Sequence, residues 1–367
     1  METRRLTVAL VYGGRSAEHE VSLRSAASVF AAMNRERYDV IPVLITRDGA
    51  WYRLPSELDS FRPSEMMLPE SDRLILSPDP AHHGLLRLRE GRMIEPLAVD
   101  AIFPVLHGTY GEDGTLQGVL EMANVPYVGC GVLASAAGMD KVLMKGAFRD
   151  NGLTVGPFFW FLRVEWENQR SEILGRLNRS RFPVFVKPAN MGSSVGITKV
   201  VDPGQFQQAV DVAASYDRKI LVEDGILGRE LEVSVLGNDM ARASVAGEVV
   251  SHADFYDYEE KYLRETADLR IPAHLAPDVL AKVQSVALTA FRAVDGSGLS
   301  RVDMFLTPAN EVVVNEINTL PGFTSISMYP KLWEQSGIPY PELIDTLINL
   351  AFERYREKQA IRTDRAK

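Results

Sequence analysis

Two strand-like runs, Leu299 to Leu306 (LSRVDMFL) and Glu311 to Ile317 (EVVVNEI), flank the turn-prone Pro308-Ala309-Asn310-Glu311. Together they read as a β-hairpin. A turn centred between Ala309 and Asn310 sets Asp303 opposite Glu316 and Arg301 opposite Asn318. Opposed residues point to the same side of a sheet, and so do residues two apart on one strand. Spacing alone therefore gathers Arg301, Asp303, Glu316 and Asn318 into one patch. Two carboxylates and an amide oxygen are hard ligands suited to Mg²⁺. Arg301 beside them is placed to stabilise charge on a transferred phosphoryl group or an oxyanion. A solvated polar hairpin face is an equal alternative on alternation alone. The continuation Thr319-Leu320-Pro321-Gly322-Phe323-Thr324-Ser325 weighs against it, because a hydroxyl-rich Pro-Gly turn offers backbone N–H groups to an anion.

Upstream, Lys187 ends the β-rich Pro183-Val184-Phe185-Val186 and is followed by Gly192-Ser193-Ser194-Val195-Gly196. Small residues let backbone N–H groups approach phosphate oxygens, and the hydroxyls of Ser193 and Ser194 add donors. The loop lacks the Lys-Ser/Thr that a Walker motif places straight after its second glycine. Gly13-Gly14-Arg15-Ser16 follows the first strand but lacks the G-x-G-x-x-G spacing, which argues against an NAD-dependent reductase. Glu18 and Glu20 then open a helix, where local reasoning takes them for first-turn charges. His107 to Gly114 lies beyond the strand ending at Leu106, the position of active sites in open α/β sheets. His107 reads equally as a pocket residue or as a structural one.

The chain reads as an N-terminal parallel α/β domain (1–140), a central lobe (141–222), a C-terminal lobe with the hairpin (223–350) and a tail (351–367); after about Tyr340 it is expected to be helical, then basic and frayed. In the first, strands at Leu6 to Tyr12, Val40 to Ile45, Ala98 to Leu106 and Val125 to Val128 accompany a helix over Glu20 to Met33. A Pro- and charge-rich insertion at about 51–95 holds a hairpin near Leu74 and Leu86. Strands are expected at Phe182 to Lys187, Gly196 to Val201, Ile220 to Glu223 and Glu230 to Leu236. His252 to Ile271 reads as a long ordered loop, of the kind usually tied to function, and Pro277 to Val294 as an amphipathic helix.

At 367 residues the chain is too long for one ordinary core. Its 46% hydrophobic and 24% charged residues are those of a soluble globular protein, and its net charge of −9 gives no nucleic-acid footprint. The single cysteine, Cys130, reads as a small buried filler and points to a reducing, cytoplasmic setting. No run approaches the roughly 18 apolar residues a bilayer span needs, so no membrane partner is expected.

Six stretches in order resemble the D-alanine–D-alanine ligases of the ATP-grasp superfamily. They are Gly13 to Ser22 (GGRSAEHEVS), His107 to Gly118 (HGTYGEDGTLQG), Gly138 to Lys141 (GMDK), Phe185 to Gly196 (FVKPANMGSSVG), Phe255 to Tyr262 (FYDYEEKY) and Asn315 to Ser327 (NEINTLPGFTSIS). The resemblance implies a parallel α/β domain followed by a two-lobed α+β ATP-grasp fold, and a homodimer. It implies ATP-dependent ligation of two D-alanines through an acyl phosphate, for peptidoglycan precursor synthesis and hence cell-wall biogenesis.

By resemblance, Asp303, Glu316 and Asn318 are ligands of two Mg²⁺ ions, for which Mn²⁺ substitutes. Lys141, Lys187 and Lys261 hold ATP phosphates, and Glu223 and Glu230 serve adenine and ribose. Arg301 and the Gly322 backbone stabilise the oxyanion. Glu18 receives the ammonium of the first D-alanine, reversing the local reading, and Ser327 receives the carboxylate of the second. Ser193 and Tyr262 join Glu18 in a hydrogen-bonded triad, and His107, Glu112 and Tyr256 line the substrate pocket. Met191 departs from the charged or polar residue expected there in many relatives. A D-alanyl-D-lactate or D-alanyl-D-serine ligase, and a non-catalytic nucleotide-binding regulator, are the alternatives.

Overall fold

The computed structural model describes residues 4–61, 68, 72–89, 92–250, 268–324 and 326–362. Its N-terminal sheet has three parallel strands, Tyr38–Ile45, Leu6–Gly13 and Ala101–Val105. Alternation along the first strand feeds two cores. Val8, Leu10 and Tyr12 pack with the helix His19–Ala32 and the helix Tyr340–Ala360, while Ala9 and Val11 pack with Leu116 and Leu120 on the opposite face. The expected strand at Val125 to Val128 is reduced to an isolated bridge between Tyr127 and Ile102.

The insertion is part of this sheet. Trp51–Arg53, Arg73–Leu76, Gly84–Arg89 and Arg92–Ala98 add four antiparallel strands in succession to its Tyr38–Ile45 edge, with Arg92–Ala98 outermost. The expected hairpin is present, with Ile75 opposite Leu86. Antiparallel neighbours need only short turns, whereas parallel ones need a crossover of a dozen or more residues.

A four-stranded antiparallel sheet follows, with Thr198–Val200 at one edge, then Val184–Pro188, Lys219–Asp224 and Phe158–Leu162. Its core joins Val184, Val186 and Val222 to Phe206 and Val210 of the helix Phe206–Tyr216. A five-stranded sheet completes the chain, in the order Asp268–Arg270, Arg242–Val250, Arg229–Gly237, Gly298–Leu306 and Val312–Asn318. The helix Pro277–Ala293 covers it through Val283, Ala287, Ala290 and Phe291. Asp268–Arg270, placed in a loop by sequence, is a strand paired to Glu248–Val250. Residues 251–267 lie outside the described residues.

The helix expected after about Tyr340 is present and runs unbroken to Ala360, where Arg354 and Lys358 anchor it to residues of the N-terminal part. Arg354 donates to the backbone oxygens of Gly129 and Tyr127 and to Ser297 Oγ, and Lys358 pairs with Glu121. Cys130 is buried as expected, and burial pushes its thiol up to about 11. No helix among the described residues is long and apolar enough to cross a membrane.

Candidate active site

The hairpin has the pairing that spacing predicts at its functional end: Arg301 opposes Asn318 and Asp303 opposes Glu316. It reaches that register by a different route. Near the turn, Leu306 opposes Val312 and Met304 opposes Val314, so the turn is centred on Ala309, with Asn310 in the left-handed conformation at φ 57°. Asn315 is an extra residue, a β-bulge between the Val314 and Glu316 pairs. Without it, Glu316 would oppose Val302 and face the core. The bulge restores both ligand candidates to the Asp303 face.

On the other flank, Glu232 opposes Asp303 and Ser234 opposes Arg301. Glu232 was not singled out by sequence, although its place two residues after Glu230 puts both on one face. Arg301 donates from Nε and Nη2 to the two oxygens of Asp303, each at 2.7 Å, and its Nε lies 3.0 Å from Glu232. Asp303 is 3% and Glu232 5% exposed, so the guanidinium is the counter-ion for two buried carboxylates. Such a group is costly to remove, because the buried charges would be left uncompensated.

Opposite this wall stands the helix Lys141–Asp150. Asp140 caps it, accepting from the amides of Val142 and Leu143, worth about 1 kcal/mol. That fixes Lys141 at the helix start, where Nζ donates to Met191 O at 2.7 Å and lies 3.5 Å from Glu316. Lys187 meets Glu223 at 2.6 Å, and Lys145 meets the other Glu223 oxygen, also at 2.6 Å. Burial opposes charge on Glu223, but the two lysines hold its carboxyl down at about 2. For Lys187, burial works against the ammonium, yet Glu223, Glu316 and Glu230 together raise it. Lys145 carries no motif signal beyond its place one turn after Lys141.

The loop after Lys187 reaches the N-terminal domain. Ser193 Oγ donates to Glu18 across 175 residues of sequence. Ser193 and Ser194 hold φ of 50° and 59°, a left-handed backbone that is uncommon for residues other than glycine. A Cβ at Gly108 or Gly192 would lie 2.8 or 2.9 Å from Glu18 Oε2 and displace that carboxylate, and Gly108 also holds a left-handed φ of 75°. Glu112 accepts from Gly108 N at 2.8 Å. Burial and then the nearby Glu18 push its carboxyl up to about 8.

His107 departs from the pocket-lining place that the resemblance implies. It is 4% exposed and is not a wall of the cavity. Its ring nitrogens reach Ser25 Oγ and Leu320 O, each at 3.1 Å. Burial pushes it down to about 4, so the imidazole is neutral. It ties the first helix to the turn that carries Gly322. At the end of that turn Ser327 Oγ contacts Thr324 Oγ1 at 2.8 Å and accepts from Thr324 N. A Cβ at Gly322 would lie 2.9 Å from Ser327 Oγ.

These groups converge on one cavity of about 330 Å³. Glu18, Glu112, Lys141, Ser193, Arg301, Glu316, Asn318, Gly322 and Ser327 line it. So do two residues not singled out by sequence, Glu232 and Lys331. Ser194, Lys187, Glu223, Glu230 and Asp303 are not among its lining residues. Tyr256, Lys261 and Tyr262 lie outside the described residues.

No group of three or more His, Cys, Asp or Glu among the described residues has metal-holding geometry. The expected ligand set has only two carboxylates and an amide. As a donor set it fits a hard divalent cation: all three oxygens share one sheet face, Glu316 and Asn318 open on the cavity, and Asp303 is shared with Arg301.

Comparison with known proteins agrees with this geometry. The family models "D-ala D-ala ligase N-terminus" and "D-ala D-ala ligase C-terminus" match residues 7–130 and 147–349. The D-alanine–D-alanine ligase of Heliobacterium modesticaldum is 52% identical over 361 residues, covering 98% of each chain. Among solved structures, the VanG D-Ala:D-Ser ligase from Enterococcus faecalis superposes with a TM-score of 0.83 at 37% identity, over 95% of this chain and 100% of that one. The D-alanine–D-alanine ligase from Coxiella burnetii gives 0.81 at 35% identity, over 97% of each. Fold, site and sequence thus lead to one assignment: the chain belongs to the D-alanine–D-alanine ligase family.

Proposed function

We propose that this protein joins two D-alanine molecules with conversion of ATP to ADP and phosphate, in the cytoplasm and as a homodimer. The observation that carries the reading is the single cavity on which Glu18, Ser193, Lys141 and the Arg301–Glu316 wall converge from three sheets and their loops. Glu18 offers negative charge to the ammonium of the first D-alanine, with Glu112 lining the pocket beside it. A carboxylate oxygen of that D-alanine attacks the γ-phosphorus and ADP departs, leaving an acyl phosphate. The amine of the second D-alanine, its carboxylate on Ser327, attacks the acyl carbon with loss of a proton. The tetrahedral intermediate then collapses with loss of phosphate.

Lys141 and Lys187, with Lys261, hold the phosphates, and Glu223 and Glu230 receive adenine and ribose. Arg301 and the Gly322 N–H stabilise the oxyanion. Asp303, Glu316 and Asn318 would hold Mg²⁺, or Mn²⁺ in its place, which supplies charge neutralisation on the transferring phosphoryl group. Ser193 on Glu18, joined by Tyr262, closes the loop against water that would hydrolyse the acyl phosphate.

A second reading is favoured by the likeness to a D-Ala:D-Ser ligase. Phosphate release and product identity with D-alanine, D-serine, D-lactate and L-alanine decide between them. D-alanine alone should support turnover and give the dipeptide. A requirement for D-serine or D-lactate as second substrate would move the chain to the alternative, and turnover with L-alanine alone would overturn the stereochemistry.

A further inference from the structure

Lys145 has no part in the mechanism above, yet it is among the most deeply buried charges in the molecule, 2% exposed. Its Nζ lies 2.6 Å from Glu223 Oε1 and donates to Asn315 O at 2.8 Å. Lys187 takes the other oxygen of Glu223 at 2.6 Å. One carboxylate is therefore shared by two ammonium groups, and the two are not equivalent. Lys187 sits near the end of its strand with a side chain 12% exposed. Lys145 is also tied to a backbone carbonyl, that of the bulged residue in the metal hairpin. A backbone carbonyl within a strand cannot swing away as a side chain can, so this pairing is the more constrained and the Lys187 pairing is the one free to change.

We infer that Lys145 is a positioning residue for the nucleotide: the permanent counter-ion of Glu223, whose presence releases Lys187 to the phosphates. The inference rests on the reading above that Glu223 and Lys187 face ATP. A buried carboxylate stripped of every cation is costly. With Lys145 in place, Glu223 stays paired when Lys187 turns to the phosphates. Without it, Lys187 must serve both groups and nucleotide binding competes with the ion pair. The Asn315 contact also links the carboxylate that receives the base to the strand bearing Glu316.

The test compares Lys145→Met and Lys145→Gln, each alone and combined with Glu223→Gln. Its readouts are direct binding of a fluorescent ATP analogue, KM for ATP, KM for D-alanine and kcat. Removing Lys145 should weaken analogue binding and raise KM for ATP by roughly tenfold, about one decade in the dissociation constant. KM for D-alanine should stay within about twofold, because no Lys145 contact reaches the Glu18 end. In the Glu223→Gln background the further loss should shrink to less than about threefold, since coupled residues are not additive. Lys145→Gln keeps a donor for Asn315 O and carries the comparison if Lys145→Met does not fold. Unchanged ATP binding, an undiminished effect in the Glu223→Gln background, or an equal rise in KM for D-alanine would each overturn the inference. Failure of the underlying reading shows separately, as wild-type protein that binds no nucleotide.

Discussion

The two walls of the cavity are built in opposite ways. On one side, the strand Gly298–Leu306 is paired along both edges, by Arg229–Gly237 and Val312–Asn318, and its charged groups are locked in ion pairs. On the other, the loop between Val184–Pro188 and Thr198–Val200 hangs from an edge strand of three residues. That loop is half-buried and meets the rest of the site through Ser193 on Glu18 and Lys141 on Met191 O. A ladder fixes geometry before any ligand arrives, whereas a loop held by a few side-chain bonds is free to open. The difference suits a reaction in which charge must be met by a pre-formed site while substrates enter and leave.

Breaking the rigid wall should have the largest effect. Glu316→Gln or Asp303→Asn keeps shape and removes a charge, and kcat should fall roughly 10²–10³-fold at saturating ATP and Mg²⁺. Ligation near the wild-type rate would remove the hairpin from the chemistry. Breaking the loop wall should cost less and leave a different trace. Ser193→Ala should lower dipeptide formation about tenfold while raising phosphate release per dipeptide, because the acyl phosphate meets water. Tight coupling in that variant would show that the Ser193–Glu18 bond does not guard the site.

A third change sharpens the contrast by moving stability instead of rate. His107 is neutral in the fold at about 4 against an ordinary value of 6.5. A lowered folded value for a base gives stability that is fully present above pH 6.5 and is lost as pH falls to about 4. His107→Gln should therefore be less stable than wild type at pH 7.5. The gap should close by on the order of 3 kcal/mol toward pH 4, as read by urea melts at the two pH values. A pH-independent gap would contradict the buried neutral imidazole. The smallest effect is expected at Met191, because the loop uses its carbonyl: Met191→Lys should change KM for ATP by about twofold at most, measured by steady-state kinetics.

The same contrast explains what was legible in the sequence. The alternation of two along Arg301-Val302-Asp303 and Glu316-Ile317-Asn318 is a local rule, so the facing residues followed from spacing. The turn did not; it is displaced by half a residue, and the Asn315 bulge compensates. A bulge has no composition signature in a run such as Val314-Asn315-Glu316. The Ser193–Glu18 bond joins residues 175 apart, a distance over which periodicity carries no information, and resemblance alone suggested it. Locally, Glu18 reads as a helix-opening charge and His107 as either a pocket or a structural residue, since burial behind Ser25 and Leu320 depends on contacts distant in sequence. Lys145 and Glu232 are silent for the same reason: their partners are brought to them by the fold.

The central claim is that the hairpin is the metal-holding wall, and Mn²⁺ binding measured by electron paramagnetic resonance tests it directly. With an unreactive ATP analogue, the wild-type chain should retain two Mn²⁺ ions. Glu316→Gln should retain one at most, with an unchanged melting temperature. Equal Mn²⁺ binding by the two proteins would place the metal elsewhere and contradict the account.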